Sequence, residues 1–98
     1  MNEKQIYLSF SGKYIKSVNE YYVASDYASL FVDHVSHNSV RILGIEGFEI
    51  TDKCTKPDSD VIADWSENED IQKSIKLSQQ FVYENQKKVS HFNFTLDL

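Results

Sequence analysis

His34 and His37 stand three residues apart, Cys54 lies beside Lys53 and Lys56, and Asp58, Asp60 and Asp64 follow closely. Each group could do chemistry. Two histidines at that spacing share a helical face, but zinc needs three or four ligands. Cys54 and His91 are too scattered to supply the others. Neighbouring lysines can lower a thiol pKa, yet a lone cysteine with no base beside it completes no catalytic pair. The three aspartates match a calcium loop only in acid count, because the glycine and the closing glutamate of an EF-hand are missing. Ser, His and Asp all occur, without a nucleophile elbow or a glycine-rich phosphate loop. The chain therefore reads as a non-enzymatic protein that needs no metal or cofactor.

Charge points elsewhere. Fifteen acids against ten Lys and Arg leave a net charge of −5. From Glu46 to Asp70 there are nine acids and only Lys53 and Lys56, a local net of −7. The rest of the chain holds six acids and eight bases. A local field of one sign steers a partner of the other sign. It disfavours direct binding of nucleic acid, whose phosphates need clustered Lys and Arg. A solvated acidic loop would show the same run.

These residues must be positioned by ordinary elements. QIYLSF alternates, with Ile6, Leu8 and Phe10 on one side, and predicts a half-buried strand. Ser11-Gly12 offers a turn, and KYIKSV reads either as a return strand or as the approach to a helix. Ser25 is placed as N-cap of a helix whose apolar face is Ala28, Phe31, Val32 and Val35, ending near His37-Asn38. VRILGIEGFEITD, Val40 to Asp52, is apolar on both faces at first, as a central strand would be. Alternation puts Val40, Ile42, Gly44, Glu46, Phe48 and Ile50 on one side and Arg41, Leu43, Ile45, Gly47 and Glu49 on the other. Gly44 and Gly47 predict a bulge or a close backbone approach around Glu46. Glu46 then faces a partner, or pairs with Arg41 or a lysine, or accepts amides freed by the bulge.

TDKCTKPDSD, with the only proline, Pro57, reads as a loop. Ser66 and Glu69 form a capping box for a long helix, with Glu67, Glu69 and Asp70 in its first turn. Its stripe is Ile71, Ile75, Ser78 and Val82, flanked by Leu77 and Phe81, and Lys87-Lys88 close its last turn. SHFNFTLDL alternates strictly, Phe92, Phe94, Leu96 and Leu98 against His91, Asn93, Thr95 and Asp97. The fold class expected is α+β, a small single layer of mostly antiparallel sheet packed by two or three helices. The direction of the central pair stays open.

At 98 residues the chain fits a single domain, 1–98, with an ordinary globular balance of 41% apolar and 26% charged residues. No apolar run reaches the roughly 18 residues that cross a bilayer. The start shows no apolar leader, and a single cysteine allows no internal disulfide. The expectation is a cytoplasmic protein.

An amphipathic helix, then Ile42-Leu43-Gly44-Ile45-Glu46-Gly47-Phe48, then a loop with Pro57, then Ile62-Ala63-Asp64-Trp65-Ser66 and a capped helix resembles bacterial immunity proteins. These neutralise the toxin domains of bacteriocins and of contact-dependent growth inhibition systems. The likeness covers roughly the second half of the chain. It implies a non-enzymatic inhibitor of a cognate toxin domain, often a nuclease, that presents an acidic surface to the toxin's basic cleft as one half of a heterodimer. Because such proteins diversify their contacts, no contact residue is carried over. On the residues themselves, Asp52, Asp58, Asp60 and Asp64 are candidates to meet toxin Lys or Arg, with Glu46 and Glu49 as a second group. Trp65 is an aromatic anchor if exposed, or a core plug under the long helix. The competing expectation is an assembly module that pairs through the C-terminal strand as a sheet edge.

Overall fold

Asn2 begins the first element. Its side chain accepts from the Gln5 amide at 2.9 Å while Gln5 Oε1 accepts from the Asn2 amide at 2.8 Å, a reciprocal cap. That cap makes Glu3–Leu8 a helix, α1, in the computed structural model, which describes all 98 residues. The expected strand at QIYLSF is thus corrected. Ile6 and Tyr7 turn inward together and Leu8 is 68% exposed, a helical rather than an alternating pattern. Tyr7 is stacked between Tyr21, 4.0 Å away, and Phe31, 4.7 Å away.

KYIKSV resolves as a return strand. β1 (Tyr14–Ser17) and β2 (Glu20–Ala24) form an antiparallel hairpin. Its turn holds Val18 at φ 50°, a left-handed conformation that usually calls for glycine or asparagine. Ser25 does not cap the next helix. It lies in a 3₁₀ turn, Ser25–Tyr27, and its hydroxyl donates to the Val89 carbonyl at 2.6 Å. Helix α2 (Ala28–His37) starts behind that turn with no side-chain cap. Its inward face is Ala28, Phe31, Val32 and Val35, all fully buried, as the periodicity predicts. Ser39 ends it at φ 56°, with Val40 N donating to Val35 O and Ser39 N to Ser36 O. That is a Schellman stop with serine in the usual glycine place.

β3 (Arg41–Ile50) and β4 (Thr55–Asp64) form a second hairpin. The stretch expected as a loop is therefore largely strand. Pro57 is tolerated because β4 is an edge strand, where a missing N–H need not disturb a ladder. Helix α3 (Ile71–Asn85) is capped by Asp70, whose carboxylate accepts from Lys73 N. This displaces the expected cap at Ser66, and leaves Glu67 and Glu69 in the preceding loop. Lys87 and Lys88 fall beyond the helix end. The inward stripe of α3 is Ser74, Ser78, Val82 and Asn85, with Ile75 and Phe81 packed beside it, while Ile71 is exposed. β5 (His91–Asp97) closes the chain.

The five strands run in the order β1-β2-β5-β3-β4, every neighbouring pair antiparallel. The expected α+β class, one mostly antiparallel sheet packed by helices, is what the chain adopts. β5 is not an edge. It lies between β2 and β3 with both sides hydrogen-bonded, so the expected pairing of a partner through the C-terminal strand is overturned. A C-terminal position says nothing of place in a sheet whose order departs from sequence order.

Strict alternation fails inside β3. Against β5, Ile42 faces Leu96 but Gly44 faces Thr95, so one residue is bulged between them. Val40 and Ile42 point to the helices before the bulge, and Ile45 and Gly47 do so after it. The phase of the strand is inverted from Gly44 onward. Ser74 marks the place from the helix side: its Oγ accepts from Ile42 N at 3.2 Å and donates to Ile71 O at 2.8 Å. A Cβ on Gly47 would lie 2.6 Å from Val61 Cγ1 and 2.9 Å from Val89 Cγ1, both within the core. Gly47→Ala should therefore lower stability by about 1–3 kcal/mol, read as a lower urea midpoint. An unchanged midpoint would contradict this packing.

Candidate functional site

All three helices lie against one face of the sheet, and the other face has no cover. Cross-strand partners share a face, which places Gly44, Glu46 and Phe48 of β3 beside Thr95, Asn93 and His91 of β5. On β4, Asp64 lies opposite Gly44 and Ile62 opposite Glu46. On β2, Tyr22 follows, its ring edge-on to Phe48 at 4.9 Å between centroids, with Glu20 farther along.

Glu46 is half-buried here and accepts no hydrogen bond from any protein group. Arg41 is not its partner. The Arg41 guanidinium is fixed to Asp97 at 3.0 Å and to the carbonyls of Ser66 and Asn68 at 3.2 and 2.6 Å. The Arg41–Asp97 contact is the one ion pair in the structure. The expected structural roles of Glu46, pairing with Arg41 or a lysine or accepting freed amides, are accordingly not found. The bulge accounts for its position, since the inverted phase turns this carboxylate away from the core.

Asp64 lies on the same face, and its Oδ1 accepts from Ser66 N at 2.8 Å. The Ser66 hydrogen bonds, backbone first, hold its carboxyl below the usual carboxylate range. Gly44 lies between the two acids, and a Cβ there would meet the Ala63 carbonyl at 2.7 Å. The result is a shallow depression of about 250 Å³ bordered by Glu46, Asp64, Ile62, Asn93 and Thr95.

The remaining candidates gather at the other end of the β3–β4 hairpin. Asp52 occupies the tip, between Thr51 and Cys54, which exchange backbone hydrogen bonds. Glu49 stands across from Lys56. Pairing jumps from Glu46–Ile62 to Phe48–Pro57, and the extra residues of β4 bulge outward. There Asp58 accepts from Asp60 N at 2.9 Å. Glu49, Asp52 and Asp60 are exposed and Asp58 is half-buried. Trp65 is not an exposed anchor. It packs edge-on against Phe81, 6.0 Å away, at the margin of the core, which is the plug reading.

Three contributors escaped the sequence reading. Glu20 and Tyr22 sit on a strand whose turn carries no glycine signal. Burial first, then the Glu20 and Glu46 carboxylates, push the Tyr22 phenol up, so both acids act on this ring. Asn93 lay on the predicted wet side of β5. Its amide donates to Glu20 at 3.0 Å and to the Tyr21 carbonyl at 2.9 Å, leaving its carbonyl oxygen as an acceptor toward the open face.

The other chemistry-bearing residues are separately placed. His34 Nε2 lies 2.9 Å from Ile6 O and 3.0 Å from Ser9 Oγ. Cys54 is a free, exposed thiol. No group of three or more His, Cys, Asp or Glu is arranged to hold a metal ion, and no helix is long and apolar enough to cross a membrane. The chain matches no protein-family model and no curated protein.

Two solution properties follow. Because Glu46 has no partner to lose, Glu46→Gln should change stability by less than about 0.5 kcal/mol. Arg41→Met removes the hydrogen bonds to Asp97 and to two carbonyls, of which only the Asn68 contact is part-buried, and should lose about 0.5–1.5 kcal/mol. Paired urea melts separate the two cases. Burial holds His91 below the ordinary histidine pKa, with Glu49 opposing the shift. The unfolded chain then binds a proton more readily than the folded one, so stability is full above about pH 6.5 and falls as pH drops below it. His91→Gln should flatten that part of the pH–stability curve.

Proposed function

We propose that this chain is an immunity protein that binds and neutralises a cognate toxin domain, a basic nuclease whose substrate cleft it covers with an acidic surface. It acts as a non-enzymatic inhibitor in the cytoplasm, one to one with the toxin. The resemblance of Ile42–Phe48 and Ile62–Ser66 to bacterial immunity proteins suggests the class. The observation that carries the reading is that the acids of the β3–β4 hairpin are unspent. Glu46, Glu49, Asp52, Asp58, Asp60 and Asp64 form no ion pair, although Lys53 and Lys56 share the hairpin.

Carboxylates that no internal cation neutralises keep their attraction for an external one. Concentrated on one hairpin of a small protein, they produce a directional field that speeds encounter with a basic cleft. A solvated loop would carry such charges on mobile chain, whereas Glu46, Glu49 and Asp64 are mounted on paired strands. Mounting fixes their spacing, which is what specificity between one toxin and another requires.

Co-expression with a candidate toxin domain, sought first in the genes adjoining this chain's own, tests the reading. Cells carrying the toxin should survive only when this protein is present, and absence of protection overturns it. For the purified pair, raising salt from about 0.01 M to about 1 M shortens the screening length from about 30 Å to about 3 Å. The association rate should fall by at least about tenfold over that range. A rate indifferent to salt would refute the acidic mechanism even if cells survived.

A further inference from the structure

The hairpin acids and the bare sheet face are different surfaces, and only the second has an acid-bordered depression with no basic side chain on its rim. At the hairpin tip Asp52, Asp58 and Asp60 project from turns and a bulge, and the depression there, about 340 Å³, already has Lys56 on its border beside Glu49 and Asp58. The sheet face combines three features. Its carboxylates, Glu20, Glu46 and Asp64, have no cation within reach, because Arg41, the only basic strand residue on that face, is committed to Asp97. Its apolar part is exposed: Ile62 is 60% and Ile15 42% accessible, next to the Tyr22–Phe48 pair. Its depression is lined by Gly44, where β3 and β4 approach so closely that the Ala63 carbonyl leaves no room for a Cβ.

Hydrogen-bonding capacity on this face leans toward acceptors, the Thr95 and Tyr22 hydroxyls being able to serve either way. Glu20, Glu46 and Asp64 are acceptors, and the Asn93 amide nitrogen is already used, so only its oxygen remains. A surface of acceptors with few donors complements lysine and arginine, which carry donors and no acceptor. Glu46 accepts no internal hydrogen bond, so a cation beside it would supply a charge-assisted contact that the protein itself does not.

We propose that the uncovered sheet face, rather than the hairpin tip, is the docking surface for a folded basic protein. A lysine or arginine of that partner would seat over Gly44, its stem on Ile62 and its charged end between Glu46 and Asp64. The partner's class rests on the immunity reading, whereas the location rests on the geometry of this face alone. The arrangement differs from a purely electrostatic collar in requiring apolar contact at Ile62. It also gives the two groups of acids different roles, the tip acids steering an approaching partner and the face acids holding it.

The test uses the ¹⁵N-labelled chain and an amidated Arg-Phe-Lys peptide as probe, with the toxin domain that passes the co-expression test as a second ligand. Peptide shifts should centre on the amides of Gly44, Glu46, Ile62, Asn93 and Thr95. Glu46→Gln and Ile62→Lys should each weaken binding of peptide and toxin by about tenfold, with thermal melts unchanged. Asp52→Asn together with Asp60→Asn should slow toxin association and leave its dissociation rate as it was. Shifts centred on Asp52 to Asp60, shifts spread evenly over every acid, or no shift at millimolar peptide would overturn the proposal. So would unchanged binding in the face variants. If the peptide maps to the face while co-expression protects no cell, the immunity reading fails and the docking surface stands. Protection with the contacts at the hairpin tip gives the reverse.

Discussion

The bulge between Ile42 and Gly44 is the constraint on which the rest of this protein depends. A strand of period two that kept its phase from Ile42 would aim Glu46 into the core among Phe31, Phe92 and Phe94. Burying an unpaired carboxylate there would cost several kcal/mol. One extra residue inverts the phase, so Ile45 and Gly47 take the inward places while Glu46 and Phe48 move to the other face. The irregularity is held from two sides. Ser74 of α3 takes the Ile42 amide, and Gly47 lets Val61 and Val89 close over the strand where any side chain would collide.

The same inversion gives the sheet its two characters. The helix side is a continuous core of 17 buried residues, with Tyr7 stacked between Tyr21 and Phe31 at its centre. The other side retains carboxylates, a tyrosine–phenylalanine pair and exposed isoleucines. An antiparallel sheet tolerates one solvated face, but isoleucine is not what solvation alone selects. Tyr22 is itself buried and Phe48 half-buried, so the apolar area open to contact on this side is that of Ile15 and Ile62. The β4 edge of the sheet is less inviting. It carries Pro57 and a bulge, both of which hinder addition of a further strand.

Charge was the property most legible in the sequence, and the structure divides it. The run from Glu46 to Asp70 reads as one acidic segment. Folded, it becomes face acids, Glu46 and Asp64, tip acids, Glu49 to Asp60, and an exposed pair before α3, Glu67 and Glu69. Asp70 alone is absorbed by helix capping. Glu20, distant in sequence, joins the face acids because β2 and β5 are neighbours.

What the sequence determined by itself was local: the inward stripe of α2, the alternation of β5, the α+β class and the irregularity signalled by Gly44 and Gly47. Each depends on residues within a few positions of one another, so periodicity and glycine placement report them directly. Where local signals were wrong or missing, tertiary contacts decided. Ser25 turned from a cap to a bond with Val89, 64 residues away, and the first hairpin formed around Val18 without a turn glycine. The interior place of β5 and the outward turn of Glu46 were likewise decided by strand pairing. Which neighbour a strand takes, and on which side of a bulge its phase resumes, depend on packing between segments far apart in the chain. No single stretch of residues contains that information.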